Sequence, residues 1–192
     1  MSHISRLVVV VALAFGLSAT VPVIASDNEN SFKLEGAWVA RVIGFPGLWS
    51  YVISSDPSGR TASGHGSVEV EFDANAVCNM YEFPVEFEPS DFGSPLLISI
   101  VKTGPTTGSY YSIFYGLRNL VPPSPIKTEI VSIGVATGEL EFVAPGKMHG
   151  THYFALYKPE ADADGDGFPD EGVMPDCMFP LTTVDTRLPT PE

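Results

Sequence analysis

The run Asp162-Ala163-Asp164-Gly165-Asp166-Gly167-Phe168-Pro169-Asp170 carries the most specific chemistry in the chain. Calcium is a hard cation that takes six to eight oxygens at about 2.3–2.6 Å. Carboxylates at alternate positions, Asp162, Asp164 and Asp166, can curl around one ion. Gly167 then permits a sharp turn, and the Phe168 carbonyl can point inward. Asp170 stands at the ninth position, where a ligand often acts through water. Carboxylates packed this closely repel one another unless a cation is present; the alternative is a solvated acidic turn. Glu160, Glu171 and Asp176 are candidates to complete the shell, and their spacing does not choose among them.

This run resembles the aspartate-rich calcium loops of the EF-hand type. It is more closely similar to the DxDGDGxPD repeats of thrombospondin type 3 and related bacterial surface proteins. By position, the resemblance implies Asp162, Asp164, Asp166 and Asp170 as side-chain ligands and Phe168 as a backbone ligand, with calcium as the cofactor. The twelfth position of an EF-hand loop is a bidentate Glu, but here it is Val173. No helical pattern flanks the loop, so the segment is not a true EF-hand.

Other candidate groups are weaker. His149 and His152 form an i, i+3 pair at a turn entering a strand, and imidazoles suit zinc or copper. A third ligand from His65 requires the two segments to be neighbours. Glu69, Glu71, Glu82, Glu86 and Glu88 alternate with apolar residues, the pattern of a wet strand face rather than of a paired-carboxylate hydrolase. No Gly-x-Ser-x-Gly occurs, so no catalytic residue is assigned. Gly36-Ala37-Trp38 resembles the Gly-x-Trp element of the first lipocalin strand, which implies a barrel carrying a small apolar ligand. Trp38, Trp49, Tyr110, Tyr111, Phe114 and Tyr115 are candidates to line such a cavity or to fill a core.

The elements that position these residues read as strands. Gly36–Ile43, Trp49–Ser54, Ser67–Phe72, Tyr81–Glu88, Leu96–Lys102, Ser109–Leu117, Lys127–Thr137, Glu139–Val143 and Thr151–Tyr157 are short apolar or alternating runs. Gly, Pro, Asn and Asp separate them. About nine short strands at regular spacing indicate an all-β, mostly antiparallel barrel or sandwich, with no amphipathic helix of useful length. An acidic calcium loop and a loose, Thr- and Pro-rich tail follow. The expected organisation is a signal peptide at 1–25, a β-domain at 26–159, a calcium segment at 160–178 and a tail at 179–192.

Arg6, the apolar run Leu7–Leu17 and the Val23-Ile24-Ala25 site have the three parts of a secretory signal. The run is short of the roughly 20 residues a membrane span needs. The mature protein is therefore expected to be secreted, periplasmic or on the cell surface. There the isolated pair Cys78 and Cys177 is expected to form a disulfide. The net charge of −13 disfavours nucleic acid and anionic lipid as partners. The first expectation is a non-enzymatic, calcium-binding interaction module whose partner is a protein or glycan. A carrier of a small apolar ligand and an extracellular hydrolase are the alternatives.

Overall fold

Alternation along the strands sets the architecture. In Leu96–Lys102, Leu96, Ile98 and Ile100 are buried while Leu97, Ser99 and Val101 are exposed, as a strand with one wet face requires. The computed structural model describes residues 33–44, 48–68, 73–120 and 127–189. The segment read as a signal peptide, and Glu69 to Phe72, lie outside the described residues.

Among the described residues, nine strands are present: β1 (Gly36–Val42), β2 (Leu48–Ser55), β3 (Thr61–Val68), β4 (Phe92–Gly93), β5 (Leu96–Lys102), β6 (Thr107–Leu120), β7 (Lys127–Ala144), β8 (Lys147–Tyr157) and β9 (Cys177–Arg187). Every pairing is antiparallel. The order β1-β2-β3-β5-β6-β7-β8-β9 returns to β1, and β4 adds to the side of β6. The result is an eight-stranded, up-and-down closed barrel. Closure removes the exposed edges that an open sheet of this size would present, and eight strands leave an interior just wide enough for side chains.

Four expectations need correction. The tail expected at 179–192 is largely β9, which closes the barrel between β1 and β8. Its inward positions include Thr183 and Asp185, both buried, so apolar alternation does not mark it. The break expected at Thr137-Gly138 is absent, and Gly138 lies inside the continuous β7. A Cβ there would collide with the Thr151 carbonyl oxygen, so glycine serves close strand approach rather than a turn. Tyr81–Glu88 is not a ladder strand. It is an extended run tied down by Asn75, whose side chain donates to Phe87 O (2.9 Å) and accepts from Phe87 N (2.7 Å). Finally, a short helix, α1 (Ala74–Met80), is present. Asp73 caps it by accepting from Ala76 N at 3.1 Å.

The main core fills the barrel and continues beneath α1 through Val77, Cys78 and Phe87. A satellite cluster of Ile113, Ile133 and Val135, flanked by Tyr111, Tyr115 and Tyr157, lies on the outer wall of β6–β8. Among the described residues, no helix is long and apolar enough to cross a membrane.

Candidate functional site

Three regions of the barrel could do chemistry: an acidic loop on its outer wall, a capped mouth and a polar layer inside. The loop leaves β8 through a 3-10 turn, Pro159–Ala161, and returns to β9. Asp162 accepts from Gly165 N and Gly167 N, each at 3.0 Å. Asp164 accepts from Asp166 N at 3.1 Å and Asp166 from Phe168 N at 2.8 Å. Gly165 and Gly167 have φ of 77° and 92°, where a side chain would be strained. These bonds curl the chain so that one oxygen from each of Asp162, Asp164 and Asp166 lies within 4.8 Å of the others. That separation suits oxygens on opposite sides of one calcium ion.

Asp170 lies outside this group of three. Its carboxylate accepts from Ala163 N at 3.2 Å and its N–H donates to Ala161 O at 2.7 Å, which zips the loop shut. The Tyr115 hydroxyl donates to Gly167 O at 2.7 Å and so ties the loop to the barrel wall.

The mouth is roofed by α1, which the Cys78–Cys177 disulfide pins to the start of β9 with Cα atoms 5.8 Å apart. Beneath it, Tyr81 stacks on Phe179 (4.8 Å), Phe179 meets Phe154 (5.2 Å) and Phe154 stacks on Phe114 (5.6 Å). These rings, with Trp49 and Val77, border a cavity of about 220 Å³ with a predominantly apolar lining. A dry apolar cavity of about 150 Å³ already holds benzene, so this one suits a one- or two-ring molecule. A more polar groove of about 730 Å³ runs beside it past Asp73, Ser90 and Ser94 and shares Val68 and Phe114.

The polar layer lies inside the barrel. Tyr51 donates to Asp185 Oδ2, and His152 Nε2 hydrogen-bonds with Thr183 Oγ1 at 3.1 Å. The Tyr110 ring lies 4.7 Å from the His152 ring, and Ser112 is buried on the same strand. Among the described residues, Tyr110 Oη, His152 Nδ1 and Asp185 Oδ1 are buried without a well-formed hydrogen bond, with the Ser112 and Thr183 hydroxyls near enough to act on Tyr110 and Asp185 respectively. All three belong to this layer. An unsatisfied buried group costs about 1–3 kcal/mol, and these three lie on neighbouring levels of the barrel interior, Tyr110 and Asp185 one inward step beyond Ser112 and Thr183.

Burial lowers His152 to about 4, so its imidazole is neutral at pH 7. Burial raises Asp185, opposed by the hydrogen bond from Tyr51 and by Thr183. Burial also raises Tyr51, with the charge of Asp185 acting in the same sense.

The structure separates the sequence candidates. His65 and His149 are exposed while His152 faces inward, so the three do not converge. Glu82, Glu86 and Glu88 are exposed, and Glu88 pairs with Arg118 at 2.8 Å. Trp38 is fully buried and donates to Leu34 O at 2.7 Å, so it belongs to the packed end of the barrel rather than to the cavity. Trp49 and Phe114 line the cavity, Tyr110 enters the polar layer, and Tyr111 and Tyr115 lie outside the barrel. Sequence reasoning missed Tyr51, Thr183 and Asp185. The available signal was an Asp and a Thr two residues apart in a segment with strand spacing.

No protein-family model matches the chain, and no curated protein matches it. Among solved structures, the chain is similar to one described as "Structure of EF1p2_mFAP2b bound to DFHBI", with a TM-score of 0.42 and 14% identity. The match covers 81% of this chain and 94% of that one.

Proposed function

We propose that this protein is an exported β-barrel that binds a small apolar ligand in its capped mouth, with a calcium loop bracing the outer wall. The apolar cavity of about 220 Å³ under α1 carries the reading. Cavities of this kind, lined by aromatic side chains with a few polar groups nearby, are the usual form of small-molecule sites. A carboxylate-pair hydrolase is less well supported: among the described residues, Asp185 is the one buried carboxylate. The Asp162, Asp164 and Asp166 grouping supports calcium as a structural ion, because it orders a segment too polar to pack alone.

The test titrates the mature protein with an apolar naphthylamine fluorophore and follows its emission. Saturable one-to-one binding is expected, and Val77→Phe, which fills the cavity from α1, is expected to weaken it about tenfold. Thermal melts establish that the variant is folded. Absence of saturable binding, or equal binding by folded Val77→Phe, would overturn the reading.

A further inference from the structure

The polar layer lies directly beneath the cavity, and four strands show this independently. Trp49 and Tyr51 are successive inward residues of β2, as are Phe114 and Ser112 of β6, Phe154 and His152 of β8, and Leu181 and Thr183 of β9. In each pair the first residue lines the cavity and the second belongs to the layer, while Tyr110 and Asp185 lie one inward step deeper on β6 and β9. The step between successive inward residues is about 7 Å along a strand. Trp49 links the two levels, with its ring 6.4 Å from that of His152.

Resting on the carrier reading, we propose that this layer is the head-group subsite of the cavity, and that the ligand is a neutral amphiphile with a one- or two-ring apolar body and a hydroxyl, a phenol or an alcohol. The atoms without a well-formed hydrogen bond define the head group. Asp185 Oδ1 can only accept while ionised, so it asks for a donor; Tyr110 Oη can donate or accept. His152 Nδ1 donates or accepts according to the tautomer that its bond to Thr183 selects. A hydroxyl both donates and accepts, so one such group satisfies complementary partners. A carboxylate or phosphate cannot donate to Asp185. No Lys or Arg is buried among the described residues to offset such an anion. Ordered water could satisfy the same atoms, and the experiment distinguishes the two.

The mature protein is titrated with naphthalene, 2-naphthol and 2-naphthoate by displacement of the fluorophore. The expected result is that 2-naphthol binds about tenfold more tightly than naphthalene and that 2-naphthoate is the weakest. Tyr110→Phe and Asp185→Asn are expected to bring the naphthol-to-naphthalene ratio towards one. If either variant fails to fold, nitrogen NMR of the native protein reads the same point, because 2-naphthol but not naphthalene is expected to shift the His152 imidazole resonances. Equal binding of naphthalene and 2-naphthol overturns the head-group subsite and leaves the carrier reading standing, as does preference for 2-naphthoate. Binding of neither overturns both.

Discussion

A Cβ on Gly150 would collide with His152 Nε2 and Thr183 Oγ1, so the hydrogen bond between those groups exists only because position 150 has no side chain. The buried imidazole that results has a calculable effect on stability. Its folded pKa of about 4 lies below the ordinary 6.5. Above pH 6.5 both folded and unfolded chains hold it neutral, and it adds no pH dependence. Below pH 6.5 the unfolded chain takes up a proton that the folded chain refuses, so stability falls until pH 4 is reached. Asp185 acts in the opposite sense: burial raises its folded pKa, so stability lost above that pKa is regained as pH falls towards 3.8. Comparison with a variant isolates the histidine. Between pH 7 and pH 5 the native protein is expected to lose about 2 kcal/mol more than His152→Gln in urea unfolding. Parallel curves for the two proteins would show that His152 protonates freely in the folded state.

At the scale of elements, α1 and β9 are the parts that make a barrel into a capped vessel, and one covalent bond joins them. Cys78 and Cys177 are 99 residues apart, and the chain-entropy model assigns about 4–5 kcal/mol to closing such a loop. Replacing both with Ala is expected to cost up to that amount in denaturant unfolding and to weaken fluorophore binding, since α1 supplies Val77 and Met80 to the cavity. An unchanged midpoint would mean that the cap is held by packing alone. β5 and β2 were readable in the sequence because each is a short run rich in apolar and β-branched residues bounded by turn residues. β9 was not, because Thr183 and Asp185 point into the barrel and reverse the pattern that polarity would suggest. α1 has seven residues, too few for a helical period to stand out. The Asp-rich loop was readable because its residues are consecutive. The polar layer was not, because strands far apart in the chain assemble it: Tyr51 and Asp185 are separated by 134 positions.

At the scale of the whole molecule, the acidic loop lies between β8 and β9, so its order is coupled to barrel closure. Asp176 shows the coupling at the far end of the loop: its N–H donates to Leu156 O at 2.9 Å and its carboxylate accepts from Lys158 N at 2.9 Å. Tyr115 makes the connection to the wall from outside, through Gly167. An ion that binds the ordered loop and not the unfolded chain stabilises the whole barrel by mass action, by about 2.7 kcal/mol at a hundred times its Kd. Calcium is therefore expected to raise the melting temperature of the protein, and Asp164→Ala to abolish the increase. Tyr115→Phe separates two accounts of where that stabilisation acts. If the loop braces the wall, the variant still binds calcium in calorimetry but shows a smaller calcium-dependent rise in melting temperature, because the ordered loop no longer grips β6. If the loop stabilises only by completing the path from β8 to β9, Tyr115→Phe leaves the calcium-dependent rise unchanged and lowers the baseline alone. No heat of binding at millimolar calcium, with no rise in melting temperature, would show that the acidic turn is solvated and holds its shape through its own backbone hydrogen bonds.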